Sequence, residues 1–155
     1  MKRIRRVMHA SDFSAASRRA FRKAVELCKS TGARLLVVHA IPPTPPLMME
    51  GIYIVPAPWD ELAKSARDAA RRRILEIVRE ARRAGVRAAG LVVQGEAADQ
   101  IVRVTRRKHV DMLVLGTHGR TGFSRLFLGS VTARVVATAR CPVMTVGARR
   151  TGRTS

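Results

Sequence analysis

The chain has 155 residues, of which 46% are hydrophobic and 26% charged, the composition of one globular domain rather than of a disordered chain. Thirty basic residues against eleven acidic ones give a formal net charge of +19, and such a field attracts polyanions. Aromatic residues make up 4%, too few to stack single-stranded bases, and the arginines are scattered over several helical segments. Solvated basic helix faces are therefore favoured, and specific binding of nucleic acid is not expected.

Signals for a membrane or for export are not recognised in the sequence. The basic start, residues 1–6, is followed by only Val7 and Met8 before His9, so no signal-peptide core is expected. No apolar run approaches the roughly 20 residues that span a bilayer. Cys28 and Cys141 match no metal spacing, and Cys28 lies on an apolar helical stripe typical of a buried thiol. The sequence predicts a cytoplasmic protein without membrane contact.

Strand and helix patterns alternate from the start of the chain. Residues 4–10 predict a strand, and residues 15–30 predict a helix that begins after the N-cap Ser14 and ends at the C-cap Gly32. The continuous apolar run 35–40 predicts a strand that is buried on both faces.

Residues 41–58 interrupt this alternation, because six of the seven prolines fall among them. They predict a long loop that leaves the carboxyl end of the second strand, where ligands bind in parallel sheets. Two interpretations stay open: a flap beside a ligand or a contact for a second subunit, and a surface insertion without such a role.

The alternation then continues to the end of the chain. Helices are predicted at 59–84, 97–108 and 130–139, and strands at 87–93, 111–115 and 143–146. The apolar side of the long helix is predicted to contain Leu62, Ala66, Ala69, Ala70, Ile77 and Ala81. The buried stripe of the last helix is predicted to contain Val131, Val135, Val136 and Ala139. Strands that alternate with helices predict an α/β fold with a doubly wound parallel sheet, followed by a flexible basic tail at 148–155.

A glycine-punctuated segment follows the apolar run that ends at Leu115. Gly116, Gly119 and Gly129 have the spacing G-x2-G-x9-G, and Ser130 follows at the start of a helical pattern. Glycines let a backbone approach a ligand closely, and free N–H groups at a helix start receive an anion. The spacing is neither that of a P-loop, which needs Lys in place of Ser130, nor G-x-G-x-x-G. From the residues alone, an anion site and a connecting loop are equal alternatives.

Residues 111–146 closely resemble the universal stress protein family. Its ATP-binding members carry G-x2-G-x9-G-[S/T] at this place, followed by a helix and a Cys-Pro-Val strand, as at residues 141–143. The opening stretch, residues 8–14, is similar to that family's first strand and Asp-containing turn. The likeness covers about residues 1–147, predicted as one universal stress protein domain. It implies a five-stranded Rossmann-like sheet in the order 3-2-1-4-5, the adenine nucleotide alpha hydrolase-like type.

The resemblance also implies ATP as the ligand and a role for each matching residue. Asp12 lies near the ribose or is the candidate ligand of a bound Mg²⁺. The backbone of Ala40 contacts the adenine, and Gly116 lies under the ribose and phosphates. The phosphate cradle contains Gly119, Gly129, Ser130 and Val131.

Three further side chains inside the glycine segment can each be interpreted in two ways. Arg120 and Arg125 match the geometry of phosphate oxygens, and a solvated surface position is the equal alternative. For His118, an inert loop histidine is favoured over a general acid or base, because no partner carboxylate is nearby in sequence. No residue is assigned a catalytic role.

The function that the resemblance implies is a nucleotide-dependent regulator of the stress response with little or no hydrolysis. The alternatives are a slow ATPase or phosphotransferase, which needs a water-positioning base and a metal site, a family member without nucleotide, and a non-specific polyanion binder. The last strand, Val143 to Val146, is predicted at an edge of the sheet, and the similarity implies a homodimer through it.

Overall fold

The computed structural model describes residues 3–43, 57–117 and 128–147, and the backbone of residues 47–49 and 52–54. In chain order the elements are β1 (Arg6–Ala10), α1 (Ala15–Thr31), β2 (Arg34–Ile41), β3 (Leu47–Met49), β4 (Ile52–Ile54), α2 (Ala57–Arg83), β5 (Ala88–Gln94), α3 (Ala97–Arg107), β6 (Met112–Gly116), α4 (Ser130–Thr138) and β7 (Val143–Val146). The predicted tail at 148–155 lies outside the described residues. None of the helices in the described part of the chain is both long and apolar enough to cross a membrane.

Five parallel strands form the sheet, in the order β5-β2-β1-β6-β7. Numbered along the chain these strands have the order 3-2-1-4-5, so the predicted fold class is confirmed. Met8 of β1 pairs with Leu36 of β2 on one side and with Leu113 of β6 on the other. The strand order reverses at β1, and the carboxyl ends of β1 and β6 therefore open into a crevice.

The sheet is buried on both faces, which explains the continuous apolar runs of its central strands. Val7 and Val37 belong to the core shared with α1 and α2, whereas Met8 and Val38 belong to the core shared with α3 and α4. Successive side chains of a strand point to opposite faces, and each of these strands therefore contributes to both cores.

The predicted helix ends of α1 are confirmed. The Ser14 side chain accepts a hydrogen bond from the N–H of Ser17, and Gly32 ends the helix with φ of 71°. That left-handed conformation favours glycine, because a Cβ atom is strained there.

The predicted loop 41–58 is partly wrong, because it contains the antiparallel hairpin β3–β4 and the start of α2. Leu47 pairs with Ile54, and Met49 pairs with Ile52. The stretch Ile52-Tyr53-Ile54 consists of β-branched and aromatic residues, whose strand propensity prevails over the surrounding prolines. The role of this segment as a flap or subunit contact stays a prediction.

Two predicted apolar stripes are also partly wrong. In α2, Leu62 is 60% exposed and Ala66 is exposed, and the buried positions are Ala70, Ile74, Val78 and Ala81. A helix of 27 residues is about 40 Å long, so it outruns the strand it packs on, which has seven residues and a length of about 23 Å. In α4, Val131 and Val136 are exposed, whereas Thr132 and Val135 are buried.

Candidate functional site

A cavity of about 260 Å³ lies at the carboxyl ends of β1, β2 and β6, beside the start of α4. Its volume is close to the lower end of the roughly 300–1,000 Å³ found for small-molecule sites. The residues that line it are Ala10, Ser11, Asp12, Ser17, Val38, His39, Ala40, Ala97, Ile101, Leu115, Gly116, Gly129, Ser130, Val131 and Thr132. The cavity is therefore at the crevice that the strand order predicts.

Most of the site residues predicted from the sequence line this cavity. The structure brings together Asp12, Ala40, Gly116, Gly129, Ser130 and Val131. Gly119 and Arg120 lie outside the described residues, as do His118 and Arg125. The roles assigned to all of these residues stay predictions.

The Asp12 carboxylate lies in the turn between β1 and α1. Its Oδ1 accepts a 3.0 Å hydrogen bond from the N–H of Ser14, the N-cap of α1. A carboxylate has about four lone-pair sites, so Asp12 can accept further bonds from a ribose hydroxyl or coordinate a cation. Among the residues with described side chains, no group of three His, Cys, Asp or Glu could hold a metal ion. The chain thus fits Mg²⁺ only as one carboxylate that supplements phosphate and water ligands.

Two hydrogen bonds hold the start of α4 to the end of β6. The N–H of Gly129 donates to the carbonyl oxygen of Thr117 at 2.8 Å, and the hydroxyl of Thr132 donates to that of Gly116 at 2.9 Å. The N-cap is Gly129 rather than Ser130, and its carbonyl accepts the first helical hydrogen bond from Ala133. Ser130 is instead the first residue of the helix.

The start of α4 gives the cavity an anion-binding character. The first N–H groups of a helix have no acceptor within the helix, and they lie at the positive end of its dipole. In α4 these groups belong to Ser130, Val131 and Thr132, all of which line the cavity. A phosphate or carboxylate in this cavity would meet both the donors and the dipole.

Gly116 lines the cavity and is also constrained by the packing of α1. A Cβ atom at this position would lie 3.0 Å from the carbonyl carbon of Ala16 and 3.1 Å from the backbone nitrogen of Ser17. These are backbone atoms, which cannot move aside as the end of a flexible side chain can. The glycine that the sequence assigned to ligand approach thus also lets α1 lie close to β6.

A buried polar network that sequence reasoning missed lies beneath the cavity. The fully buried His9 donates from Nδ1 to the carbonyl oxygen of Val114 at 3.2 Å, and its Nε2 lies 3.3 Å from Oγ of Ser17. Oγ of Ser17 lies 2.9 Å from Oγ of Ser11, and both serines line the cavity. Burial lowers the pKa of His9 to about 4, so the ring is neutral near pH 7. The sequence showed only a histidine on an apolar strand.

His39, the neighbour of Ala40, is a second residue that the sequence left unassigned. Its Nδ1 donates a 2.7 Å hydrogen bond to the carbonyl oxygen of Ser11, which fixes the ring at the cavity wall. The ring also stacks on Phe13, with 4.3 Å between the centroids. Phe13 has φ of 65°, a conformation that is unfavourable for an aromatic residue and that this stacking helps to hold. The position of His39 near the end of a predicted strand is the sequence feature that could have identified it as a cavity residue.

The remaining wall comes from the first turns of α3. Ala97 and Ile101 line the cavity, and Ile101 is also a core residue. The Glu96 side chain is the N-cap of α3 and accepts a 2.9 Å hydrogen bond from the N–H of Asp99. That hydrogen bond holds the pKa of Glu96 below its usual value.

Residues 3–147 match the model of the universal stress protein family. The chain belongs to this family. It is 33% identical over 147 residues to the universal stress protein YxiE of Bacillus subtilis, covering 91% of this chain and 97% of the relative. It is 32% identical over 146 residues to a universal stress protein of Thermus aquaticus, covering 90% of this chain and 96% of the relative.

Solved structures of the family share the fold of this universal stress protein. The structure of MJ0577 from Methanocaldococcus jannaschii superposes with a TM-score of 0.83 at 22% identity, and covers 97% of this chain and 100% of its own. A family protein from Arabidopsis thaliana with AMP bound has a TM-score of 0.64 at 23% identity over 94% of this chain and 93% of its own. The Archaeoglobus fulgidus universal stress protein in complex with dAMP has a TM-score of 0.62 at 21% identity, over 94% of this chain and 99% of its own.

Proposed function

We propose that this universal stress protein binds ATP in the 260 Å³ cavity and acts as a nucleotide-dependent regulator of the stress response, with little or no hydrolysis. The observation that carries the proposal is the convergence of Asp12, Ala40 and the start of α4 on one cavity at the strand-order reversal. Relatives of the same fold support an adenine nucleotide, since one has AMP bound and another is in complex with dAMP.

The end of β2 supports the assignment of Ala40 to the adenine. The pairing of β1 with β2 ends at the Ala10–Val38 pair, whereas β2 continues along β5 as far as Ile41. The part of β2 that follows Val38 is therefore not paired with β1, and its β1 side faces the cavity. Ala40 lies on this stretch and lines the cavity, and the edge of an adenine ring offers both donors and acceptors to backbone N–H and C=O groups.

The positions of charge in the cavity support binding places for the phosphates and the ribose. The phosphates would bind at the positive end of α4 through the N–H groups of Ser130 and Val131. The ribose would lie between Gly116 and Asp12, and the Asp12 carboxylate would also accept Mg²⁺ that is carried by the phosphates. Of the described residues that line the cavity, Asp12 is the only acid, and this composition supports binding over hydrolysis.

A matched pair of substitutions in α4 tests the proposal. Val131 and Val136 are 37% and 46% exposed on the same helix, but only Val131 is among the cavity residues. Val131→Glu places a carboxylate against the phosphates, whereas Val136→Glu adds the same charge away from them. Thermal stability is measured with and without ATP, ADP, AMP and cyclic AMP, each with and without Mg²⁺.

The proposal predicts stabilisation of the wild-type protein and of Val136→Glu, by about 2.7 kcal/mol when the nucleotide is at 100 times its Kd. Val131→Glu should lose this stabilisation. The nucleotide content of freshly purified protein, released by acid and separated by chromatography, identifies what is bound. Absence of bound nucleotide together with no stabilisation by any of the four would overturn the proposal. Release of ADP with turnover would mean that the protein is an ATPase and not a regulator with little or no hydrolysis.

A homodimer through β7 and a cytoplasmic location are further parts of this proposal. β7 is an edge strand; the carbonyls of Pro142, just before it, and of Val146 accept hydrogen bonds from Leu113 and Thr117 on the β6 side. Backbone groups alternate along a strand, so the N–H of Thr145 points to the free edge. Both cysteines are free thiols, as in a reducing compartment.

Thr145→Pro tests the dimer, because it removes an outward N–H and leaves the bonds to β6 in place. Sedimentation should give twice the chain mass of 17.0 kDa for the wild-type protein and the single mass for the variant. A wild-type monomer, or a dimer that persists in the folded variant, would contradict pairing through β7.

A further inference from the structure

The starts of three neighbouring strands carry exposed arginines. Arg6 of β1 is in register with Arg34 of β2, and Arg87 precedes β5, where its carbonyl accepts a hydrogen bond from Leu35. Arg5 precedes β1, and its carbonyl accepts the N–H of Arg34. Neighbouring strands lie about 4.8 Å apart, so these four arginines form a row across the amino edge of the sheet.

The carboxyl ends of two helices bring further exposed basic residues to the same edge. In a parallel α/β fold each helix runs back to the amino edge of the sheet, so α2 ends there with Arg82 and Arg83. For the same reason α3 ends there with Arg106 and Arg107, followed by Lys108. We call these five side chains and the four arginines at the strand starts the basic edge.

Hydrogen bonds to backbone carbonyls orient several of these guanidinium groups without cancelling their charge. Arg6 donates from Nη1 to the carbonyl of Lys108 at 2.9 Å, and Arg82 donates to the carbonyl of Ala88 at 2.8 Å. Arg87 donates to the carbonyl of Gly32 at 3.2 Å. A charge held in this way loses less side-chain entropy when it meets an anion.

Helix dipoles do not account for so much positive charge. The carboxyl ends of the four helices α1 to α4 contribute about half a negative charge each, roughly 2 in total, and Asp111 just before β6 adds one. The nine basic side chains of the basic edge exceed this several-fold. A large excess of positive charge is therefore presented to solvent, on the side of the sheet opposite to the nucleotide cavity.

We infer that the basic edge binds the phosphate backbone of a nucleic-acid duplex, independently of base sequence. The three strands whose starts carry the arginines span about 10 Å, and a duplex presents about six phosphate charges over that length. Guanidinium groups match phosphate oxygens, and eight of the nine side chains are arginines. Of the exposed apolar side chains in the described part of the chain, the largest, Trp59, lies with Leu62 and Leu128 toward the opposite edge, whereas Leu75 and Val136 lie singly on α2 and α4, so a duplex fits better than a membrane surface.

Two triple variants that remove the same charge test this inference. Arg5→Gln, Arg34→Gln and Arg107→Gln lie on the basic edge, whereas Arg22→Gln, Lys64→Gln and Arg72→Gln lie elsewhere on α1 and α2. All six side chains are exposed. Binding of the full chain to a fluorescent duplex of about 20 base pairs and mixed sequence is measured by anisotropy between 50 and 200 mM salt. A single strand of equal length and vesicles containing phosphatidylserine are measured beside it.

The wild-type affinity for the duplex should fall steeply with salt. The triple variant of the basic edge should lower the magnitude of the slope of log K against log salt by about 2.7, and the control triple variant should leave it unchanged. Equal losses in the two variants would show that net charge alone attracts the duplex, and would overturn the inference. So would tighter binding to the single strand, binding to vesicles but not to duplex, or no binding at 50 mM salt. Unchanged ATP-dependent stabilisation in the triple variant of the basic edge would separate this result from the nucleotide site.

Discussion

The hydroxyl of Thr132 donates a 2.9 Å hydrogen bond to the carbonyl oxygen of Gly116, and so ties the first turn of α4 to the end of β6. The bond from the N–H of Gly129 to the carbonyl of Thr117 lies beside it. Together they join the two described ends of the glycine segment. The helix start proposed to receive the phosphates is therefore held by the strand end proposed to lie under the ribose.

Thr132→Val should weaken nucleotide binding, because it removes the bond to Gly116 while keeping the shape of the side chain. One hydrogen bond contributes about 1 kcal/mol, so we expect a roughly five-fold rise in the Kd for ATP, measured by calorimetry. Thr138→Val is the control, since its hydroxyl bonds to the carbonyl of Arg134 at the far end of the same helix. Equal effects of the two substitutions on affinity would contradict a role for the Thr132–Gly116 bond in the site.

Gly116→Ala should destabilise the fold, because its Cβ atom would press on the backbone of Ala16 and Ser17. Overpacking of this kind costs about 1–3 kcal/mol, measured as the free energy of unfolding in urea. Gly147→Ala is the matched control. Its Cβ would meet Oγ1 of Thr117 at 3.7 Å, an ordinary contact, so little change is expected. A stable Gly116→Ala protein would show that α1 can move away from β6.

The sequence predicted the order of the elements because local patterns determine them. The stripe containing Ala20, Ala24 and Cys28 has helical spacing, and these residues are buried in α1. The stripe of α2 was predicted less well, because only tertiary structure shows where a long helix leaves the sheet. The hairpin β3–β4 was missed because prolines suggested a loop.

The candidate site was predictable where a motif marks it and not where distant side chains meet. Gly129 and Ser130 were singled out by the glycine spacing, and Asp12 by the resemblance of residues 8–14 to the family's Asp-containing turn. The contact of His9 with Ser17 depends on the packing of α1 against β1, for which no short motif exists. The basic edge was missed for the same reason, since its arginines are scattered in sequence and meet only through the parallel topology.

Because His9 is buried, the protein should become less stable in acid. Burial lowers its pKa from 6.5 to about 4, so between these pH values the unfolded chain binds a proton that the native state does not. The free energy of unfolding should be unaffected by this group above pH 6.5 and should fall as pH drops toward 4. The shift of about 2.5 pH units corresponds to about 3 kcal/mol.

Urea unfolding between pH 7 and pH 4 measures this effect as the difference between wild type and His9→Gln. Carboxylates that titrate in the same range cancel in that difference. His9→Gln should therefore show the flatter dependence on pH. Parallel curves for wild type and His9→Gln would mean that His9 becomes charged without cost in the folded state.

Arg73 should stabilise the turn after β1 through the ring of Phe13. Its guanidinium carbon lies 4.0 Å from the ring centroid, and the same ring stacks on His39 at the cavity wall. Such a cation–π contact contributes about 0.5–1 kcal/mol at an exposed position, so Arg73→Gln should lower the free energy of unfolding by that amount. Arg73→Lys keeps the positive charge and should recover part of the loss, whereas Arg72→Gln, one position away, should change stability little. If Arg73→Lys is no more stable than Arg73→Gln, the contribution of Arg73 is packing rather than charge.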